Sequence, residues 1–355
     1  MMAGMMMAPR IAAAKAQENL SRVDALIARM TIEEKAGQLN LMNDPFRWRP
    51  EGINPGDTFD SDQSRTAADI RAGRIGALFN GVGAASTRYV QDMAVKESRL
   101  GIPLLFAADI VHGLKTTFPV PLGEAASWDL DLAERTARAA AVEGGAAGVH
   151  QTYAPMVDVA RDQRWGRVVE GAGEDVLLNN LFAIARTKGF QGEDLTHWSS
   201  LVATPKHFAA YGAAEAGMDY NSTDMSEQML RSVYLPPFKA AFDAGALSVM
   251  SAFNDLNGVP TSGNRWLLTD VLHGEWEFSG FVVSDYTSEQ ELIAHGFAAD
   301  GRAPSPLSLL PLLPLSLLSL LSFPPLPPLL PSFPLPLLPL PPPLLLFLPP
   351  PPPPP

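Results

Sequence analysis

Short apolar segments alternate with longer segments of helical periodicity between about residues 18 and 300. A short apolar run bounded by polar or glycine-rich turns is typical of a buried strand. Such runs predict strands at Ile75–Phe79, Pro103–Ala108, Thr152–Val157, Leu201–Thr204, Ala246–Ser251 and Phe281–Ser284. Helical patterns are predicted at Asn19–Met30, Asp129–Gly144, Glu174–Lys188, Ser226–Ala244 and Glu289–Ala294. The segment Thr31-Ile32-Glu33-Glu34 predicts a capping box that opens a further helix.

Buried strands that alternate with helices favour a parallel α/β sheet. The number of such units over this length favours a (β/α)8 barrel of the TIM type. A doubly wound sheet is the alternative, and it is weaker because no Gly-x-Gly-x-x-Gly turn follows the first predicted strand. We therefore predict one barrel domain over residues 18–300.

Polar side chains follow several of the predicted strands directly. They are Asp109, Asp158, Lys206, His207, Asn254, Asp285 and Tyr286, and Arg167 lies in the loop after Asp158. A barrel brings the carboxyl ends of its strands to one mouth, so we expect these groups to converge. Carboxylates, cations and aromatic rings together suit a neutral polyhydroxy ligand. The mouth therefore predicts a site for a small carbohydrate.

Each of these groups also has a structural explanation when it is taken alone. An aspartate after a strand often caps a helix, and Glu174-Asp175 is expected to cap the helix that follows. Asp162 and Arg164 can form an ion pair that holds a loop, and His112 can be a hydrogen-bonded core residue. Only the convergence of several groups at strand ends favours a functional site.

Composition and charge exclude several classes of binding partner and cofactor. The formal net charge is −12, from 26 Lys+Arg against 38 Asp+Glu, and the chain has no cysteine. Nucleic acids and anionic membranes require a basic face, so neither is a predicted partner. The absence of cysteine excludes thiolate nucleophiles and cysteine-ligated metals. The histidines show no His-x-His or His-Glu-x-x-His spacing, so no metal or other cofactor is predicted, and the oligomeric state stays open.

The carboxyl-terminal segment differs in kind from the rest of the chain. Pro304–Pro355 contains only Pro, Leu, Ser and Phe, the amino acids whose codons can be written with pyrimidines alone. We expect a translated pyrimidine tract, from a frameshift or an assembly error, that forms no globular domain. A polyproline-II recognition segment and a membrane anchor are the alternatives.

The order of the motifs resembles glycoside hydrolase family 3, in particular its bacterial periplasmic β-glucosidase type. The resemblance extends from about Ser21 to Asp300. Its motifs are Met30–Leu39, Asp109–Gly113, Ala154–Asp162, Arg164–Arg167, Gly173–Asp175, Lys206–Gly212, Asn254 with Asn257–Pro260, and Gly280–Tyr286. Any one of these motifs is a weak signal, whereas all of them in this order are a strong one.

The resemblance implies that Asp285 is the nucleophile of a retaining double displacement on terminal β-D-glucosyl residues. The chemistry agrees, because a short carboxylate at a strand end can reach an anomeric carbon. Arg167, Lys206 and His207 nearby would keep it ionised.

The resemblance also implies which side chains bind the sugar. Asp109, together with the same Arg167, Lys206 and His207, is expected to hydrogen-bond it. Tyr286 is expected to pack against the sugar. Met250 is expected to line the same pocket, with a core methionine as the alternative.

The chain departs from the family pattern in three places. Phe253 stands where many members carry Tyr, so no hydroxyl from this position contacts the nucleophile. The loop 209–212 lacks the acid/base His of single-domain members, so the chain groups with members whose acid/base Glu lies in a C-terminal α/β sandwich. After Asp300 the pattern stops, so we expect a barrel without its closing strand, without that Glu, and with impaired activity.

Two alternatives to a β-glucosidase follow from these departures. One is an inactive, truncated sugar-binding remnant. The other is a β-xylosidase, which Asp109 disfavours because xylosidases of the family usually have Glu at this point. Met1–Ala8 lacks the charged start and long apolar core of a secretory signal, so the chain as written is expected to be cytoplasmic. The resemblance implies a periplasmic location if the start is misassigned.

Overall fold

The computed structural model describes residue 19 and residues 21–46 and 59–299, with side chains described from residue 62 in the last range. All of these residues lie in one unit of the chain, Met1–Phe323. The predicted tail, 304–355, lies outside the described residues, as do the predicted domain limits at 18 and 300 and the amino-terminal segment 1–18.

The strands are short and mostly parallel. They are β1 (Leu41–Asn43), β2 (Ala77–Phe79), β3 (Leu105–Ala108), β4 (Gln151–Thr152), β5 (Val202–Ala203), β6 (Ser248–Met250), β7 (Asp255–Leu256), β8 (Val259–Pro260) and β9 (Phe281–Val283). β1 to β5 form one parallel sheet in chain order, and β6 pairs in parallel with β9. Isolated parallel bridges, Met156 to Lys206 and Phe208 to Ser251, continue the pairing beyond β4 and β5. Strand neighbours in chain order contradict the doubly wound alternative, in which the order reverses.

Each predicted strand segment overlaps an observed strand, and Thr152–Val157 is the poorest match. β4 ends at Thr152, and the next pairing on this segment is the bridge at Met156. Pro155 lies between them and has no N–H to donate to a ladder. Sequence patterning missed β1, whose three residues carry too little pattern, and the antiparallel hairpin of β7 and β8. The hairpin turns at Asn257-Gly258, both with positive φ, which is a standard hairpin signal.

Helices separate the strands. They are α1 (21–29), α2 (Ile32–Gln38), α3 (Phe59–Arg71), α4 (Ala84–Asp92), α5 (Pro121–Ala125), α6 (Leu130–Ala146), α7 (Val176–Gln191), α8 (Glu227–Met229), α9 (Pro236–Asp243) and α10 (Ser288–Ala294). Wider π-type turns occupy Met93–Glu97, Leu230–Tyr234 and Trp266–Glu275. Single 3₁₀ turns occupy Val168–Glu170, Tyr211–Ala213, Glu215–Gly217 and Thr261–Gly263.

The predicted helix starts are confirmed at three caps. The Thr31 hydroxyl accepts from the Glu34 N–H, and the Glu34 carboxylate accepts from the Thr31 N–H, which is the predicted capping box. Asp129 caps α6, and Asp175 caps α7 by accepting from the Leu178 N–H at 2.7 Å. These side chains satisfy amide groups that a helix start leaves without intrahelical partners.

The predicted helical segment Ser226–Ala244 is helical over most of its length, but it is divided into separate helical pieces. Ser226 caps α8, but the chain then forms the π-type turn Leu230–Tyr234 before α9 begins at Pro236. Pro236 and Pro237 have no N–H groups, so they cannot continue the hydrogen-bond ladder of the preceding turn. Proline is tolerated at the first positions of a new helix, and α9 begins there.

Small residues bring α6 close to α7. A Cβ on Gly189 of α7 would lie 2.4 Å from the carbonyl oxygen of Glu134 and 2.7 Å from the Cβ of Ala137. No real side chain tolerates such distances, so only glycine permits this approach. The two longest helices of the described chain, α6 and α7, therefore pack directly against each other.

The parallel strands share one interior. Buried Ala107, Tyr153 and Met250 form a cluster against which Leu41, Phe79 and Val283 pack. These residues come from β1, β2, β3, β6, β9 and the end of β4. At the carboxyl ends of β1 and β9, the Asn43 amide donates to the Tyr286 hydroxyl at 2.9 Å. The fold is therefore a curved parallel α/β array whose first and last described strands approach at their carboxyl ends.

Candidate active site

Asp285 lies two residues after the end of β9, and its carboxylate is near His207, which comes from another loop. Its Oδ1 accepts a hydrogen bond from the Tyr286 N–H at 2.7 Å, which fixes the carboxylate. Its Oδ2 is buried and has no hydrogen-bond partner in the described part of the chain. The side chain is 12% exposed. One oxygen is therefore held by the backbone, while the other has no partner among the described residues.

Lys206 and Asp109 form an ion pair beside this carboxylate. The Lys206 Nζ lies 2.6 Å from Asp109 Oδ1, and the lysine is buried while Asp109 is half-exposed. The two residues leave β5 and β3, so the pair joins non-adjacent strand ends. A buried ammonium needs a charged partner, and this one has only one carboxylate oxygen bonded to it. The Asp109 side chain is 40% exposed, so a ligand can reach it from solvent.

His207 is buried and held in one orientation by Asp158. Asp158 Oδ2 accepts from the His207 backbone N–H at 3.0 Å and lies 2.8 Å from its Nδ1. On the other side of the ring, Arg167 Nη2 lies 3.0 Å from Nε2. Because a guanidinium only donates, Nε2 is the acceptor and the proton is on Nδ1. Burial, aided by the positive charges of Arg167 and Lys206, holds the pKa of His207 well below its usual value, so the ring is neutral.

Arg167 is in turn held by Glu170, three residues along the chain. Its Nε and Nη2 donate to the two carboxylate oxygens at 2.7 and 3.1 Å. The guanidinium also lies over the Tyr211 ring, 5.6 Å from its centroid. This two-point contact leaves the guanidinium edge aimed at His207, so the arginine acts as a fixed positive group in the site.

The environment of Asp285 raises its pKa to about 6. Burial is the largest cause, and the charge of Asp109 adds to it. The Tyr286 N–H, Lys206 and Arg167 oppose this rise by favouring the charged form. Desolvation therefore outweighs the neighbouring cations, and the carboxylate is ionised above about pH 6.

Tyr286 and Met250 differ in how they meet the site. Tyr286 is 59% exposed, and its ring lies 6.4 Å from that of Phe79 at the rim. Met250 ends β6 and is buried in the interior cluster with Tyr153. The structure thus places Tyr286 at the opening and Met250 in the core beneath it. Their contacts with a sugar stay predictions.

Tyr153 is a residue near Asp109 that sequence analysis did not single out. It follows β4, its backbone N–H donates to the Ala108 carbonyl next to Asp109, and its ring packs 5.5 Å from that of Phe79. The residue is buried, and its hydroxyl has no partner among the described residues. Burial, with smaller effects from the charges of Asp109 and Asp285, raises its pKa, so it is a neutral donor. The signal in the sequence was an aromatic residue at the end of a strand. It was overlooked because it lies within the predicted apolar segment Thr152–Val157.

Three other candidate positions make hydrogen bonds or ion pairs away from Asp285. His112 Nδ1 lies 2.9 Å from the Phe118 carbonyl, and this contact joins two residues of the same loop. Arg164 and Asp162 form the expected exposed ion pair at 2.6 Å. Asn254 is buried and donates to the Thr223 hydroxyl at 3.0 Å. No group of metal-binding side chains, and no helix long and apolar enough to cross a membrane, occurs among the described residues.

The fold is a parallel α/β array, and a cluster of carboxylates and cations lies at the carboxyl ends of its strands. This arrangement defines an α/β protein with a polar ligand site at the carboxyl edge of its sheet. Residues 31–306 match the glycosyl hydrolase family 3 N terminal domain. The chain belongs to this family, and the resemblance drawn from its motifs is confirmed.

Relatives and solved structures agree with this assignment. The chain is 45% identical over 278 residues to the periplasmic beta-glucosidase of Salmonella typhimurium, across 78% of this chain and 35% of that protein. It is 40% identical over 225 residues to a beta-xylosidase of Formosa agariphila, across 60% of this chain and 31% of that protein. The chain thus spans about a third of the length of these relatives. The structure of a beta-glucosidase from Listeria innocua in complex with isofagomine matches with a TM-score of 0.73 and 39% identity, across 81% of this chain and 40% of that chain.

Proposed function

We propose that this chain carries the nucleophile and sugar-binding part of a retaining β-glucosidase that acts on terminal β-D-glucosyl residues. The observation that carries the proposal is the Asp285 carboxylate, with Oδ1 held by a backbone amide and Oδ2 buried and unpartnered. The charges of Lys206 and Arg167 act on this carboxylate and favour its ionised form, and His207 Nε2 lies 3.5 Å from Oδ2.

In the first step, an oxygen of Asp285 attacks the anomeric carbon while the bond to the aglycone oxygen breaks. The leaving oxygen takes a proton from a general acid, and a glycosyl ester on Asp285 results. In the second step, a water molecule gives its proton to the same acid/base group and attacks the anomeric carbon. The carboxylate is released, and two inversions give retention.

The general acid is a group other than the carboxylates next to Asp285. Asp109 is paired with Lys206, and Glu170 is paired with Arg167 through both oxygens. Asp158 is fully buried behind His207 and accepts two hydrogen bonds from it. None of the three is placed to protonate a leaving group. A glutamate from outside the described residues, as the family resemblance implies, is the source that we propose.

We also propose that the parallel array belongs to a (β/α)8 barrel. Strands pair in chain order, and side chains from β1, β2, β3, β6 and β9 meet in one interior. The contact between Asn43 and Tyr286 draws the ends of the array together. These features support a barrel arrangement of the strands.

A β-xylosidase is the second candidate, because one relative at 40% identity carries that name. The Listeria innocua beta-glucosidase has been crystallised with glucose, which favours a glucoside for this chain. Xylosides lack the hydroxymethyl group of glucosides, so relative rates on the two aryl glycosides distinguish the candidates.

The test is covalent trapping with a 2,4-dinitrophenyl 2-deoxy-2-fluoro-β-glucoside, whose good leaving group needs little protonation. We expect one sugar adduct by intact mass, on the peptide that contains Asp285. Asp285→Asn should not be labelled, whereas the surface variant Asp131→Asn should label like the parent. A folded protein that binds glucose but never labels is the inactive remnant, and that result rejects the enzymatic proposal.

A further inference from the structure

The Tyr153 hydroxyl and Asp285 Oδ2 are both buried and both lack a hydrogen-bond partner in the described part of the chain. They belong to one region. Tyr153 packs in the interior cluster with Val283, two residues before Asp285, and its backbone is bonded beside Asp109. The charges of Asp285 and Asp109 both act on the Tyr153 hydroxyl. A donor and an acceptor without partners among the described residues therefore lie in the same region of the fold.

Buried polar groups without partners are costly, and native proteins rarely keep them unless a ligand or water completes them. A sugar hydroxyl both donates and accepts, so one such group can accept from the Tyr153 O–H and donate to a carboxylate. An apolar ligand, or a cation, could not satisfy both.

We propose that Tyr153 is a specificity-determining residue whose hydroxyl donates a hydrogen bond to a hydroxyl group of the sugar bound against Asp285 and Asp109. This inference rests on the proposed glycosidase function. It adds to that function a neutral hydrogen-bond donor, which distinguishes substrates by the presence of a single hydroxyl group. A site built to bond a substrate hydroxyl discriminates strongly against analogues that lack it.

The experiment compares the parent with Tyr153→Phe, which keeps the ring in the interior cluster and removes only the hydroxyl. Aryl β-glucosides and their 3-deoxy, 4-deoxy and 6-deoxy forms are the substrates. We expect kcat/KM on the full glucoside to fall by about 10- to 100-fold. On one deoxy substrate the variant and the parent should differ by less than about twofold, because the lost hydrogen bond has no partner there.

Tyr234→Phe is the matched control, since Tyr234 is also buried but lies in a separate cluster around Phe238. It should leave all rates unchanged. A loss in Tyr153→Phe that is equal on every deoxy substrate indicates a structural role and overturns the proposal, as does no loss at all. Calorimetry with glucose separates this inference from the proposed function. Parent protein that binds glucose more tightly than Tyr153→Phe supports the contact even without turnover, whereas equal affinities reject it.

Discussion

Nε2 of His207 lies 3.5 Å from Oδ2 of Asp285, and neither atom has a proton to offer the other. Nε2 already accepts from Arg167, and the imidazole proton is on Nδ1 against Asp158. Two acceptors thus face each other in a buried space, and this contact favours the protonated form of Asp285. A bound sugar hydroxyl that donates to Oδ2 should favour the ionised nucleophile, because a hydrogen bond to a carboxylate stabilises its charged form.

The rate of covalent labelling should rise with pH through about 6. Asp285 attacks only when it is ionised, and its pKa is raised to about 6. Below that pH the carboxylic acid predominates and labelling should fall about tenfold per unit. Inactivation rates with the fluoroglucoside between pH 4.5 and 8 give the profile. A flat profile across this range would contradict the raised pKa.

Lys206→Met should move the same profile to higher pH, because Lys206 is one of the two cations that favour ionised Asp285. It should also lower the labelling rate at neutral pH by about 100-fold, the usual effect of losing one charge-stabilising donor. Lys239→Met removes an exposed lysine from an i,i+4 pair and serves as the control. An unshifted profile in Lys206→Met would show that this ammonium does not act on the nucleophile.

Asp285→Asn should stabilise the protein at neutral pH. The folded state holds the proton of Asp285 more tightly than the unfolded chain does, so ionisation destabilises the fold. With a folded pKa of about 6 against about 3.9 unfolded, this penalty is about 2–3 kcal/mol at pH 7 and about 1 kcal/mol at pH 4.5.

Urea unfolding of parent and variant at the two pH values measures this difference. Asp243→Asn, at an exposed site, should change stability by less than about 0.5 kcal/mol at either pH. The opposite trend, with the variant gaining more stability at pH 4.5 than at pH 7, would rule out the assigned direction of the shift.

Asp158→Ala should destabilise the protein by about 2–4 kcal/mol, because it leaves two buried donors of His207 unbonded. Asp158→Asn retains an oxygen acceptor and should lose less. Asp158→Ala frees the imidazole, so it should weaken glucose binding in calorimetry, and Asp158→Asn should weaken it less. Full binding by Asp158→Ala would mean that the orientation of His207 is set elsewhere.

The buried ion pair of Arg186 and Glu124 is expected to stabilise the loop after Asp109. Arg186 Nη1 lies 2.5 Å from Glu124 Oε2, both side chains are buried, and Arg186 also donates to the Val111 carbonyl in the loop after Asp109. Glu124→Gln should cost about 3–5 kcal/mol in thermal or urea unfolding, since it leaves a buried guanidinium without its counter-charge. The double change to Glu124→Leu and Arg186→Met should recover much of this loss. If Glu124→Gln were neutral, the guanidinium would have to be compensated elsewhere.

Local patterning predicted much of the fold because local causes govern those parts. Thr31, Asp129 and Asp175 cap helices through contacts within three residues, and the buried strands carry continuous apolar runs. Sequence patterning failed where a tertiary contact or a missing N–H group determines the secondary structure. The proline pair at 236–237 split a periodic segment, and β1 is a strand only because β2 pairs with it.

The sequence by itself determined the family, the parallel α/β class and the residues at the strand exits, since motif order and apolar spacing are written along the chain. Only the tertiary structure decided which side chains bond to one another. It paired Lys206 with Asp109, set His207 between Asp158 and Arg167, and left the hydroxyl of Tyr153 open. These contacts join residues from different loops, and their protonation states follow from burial, which is a property of the packed molecule and not of any local segment.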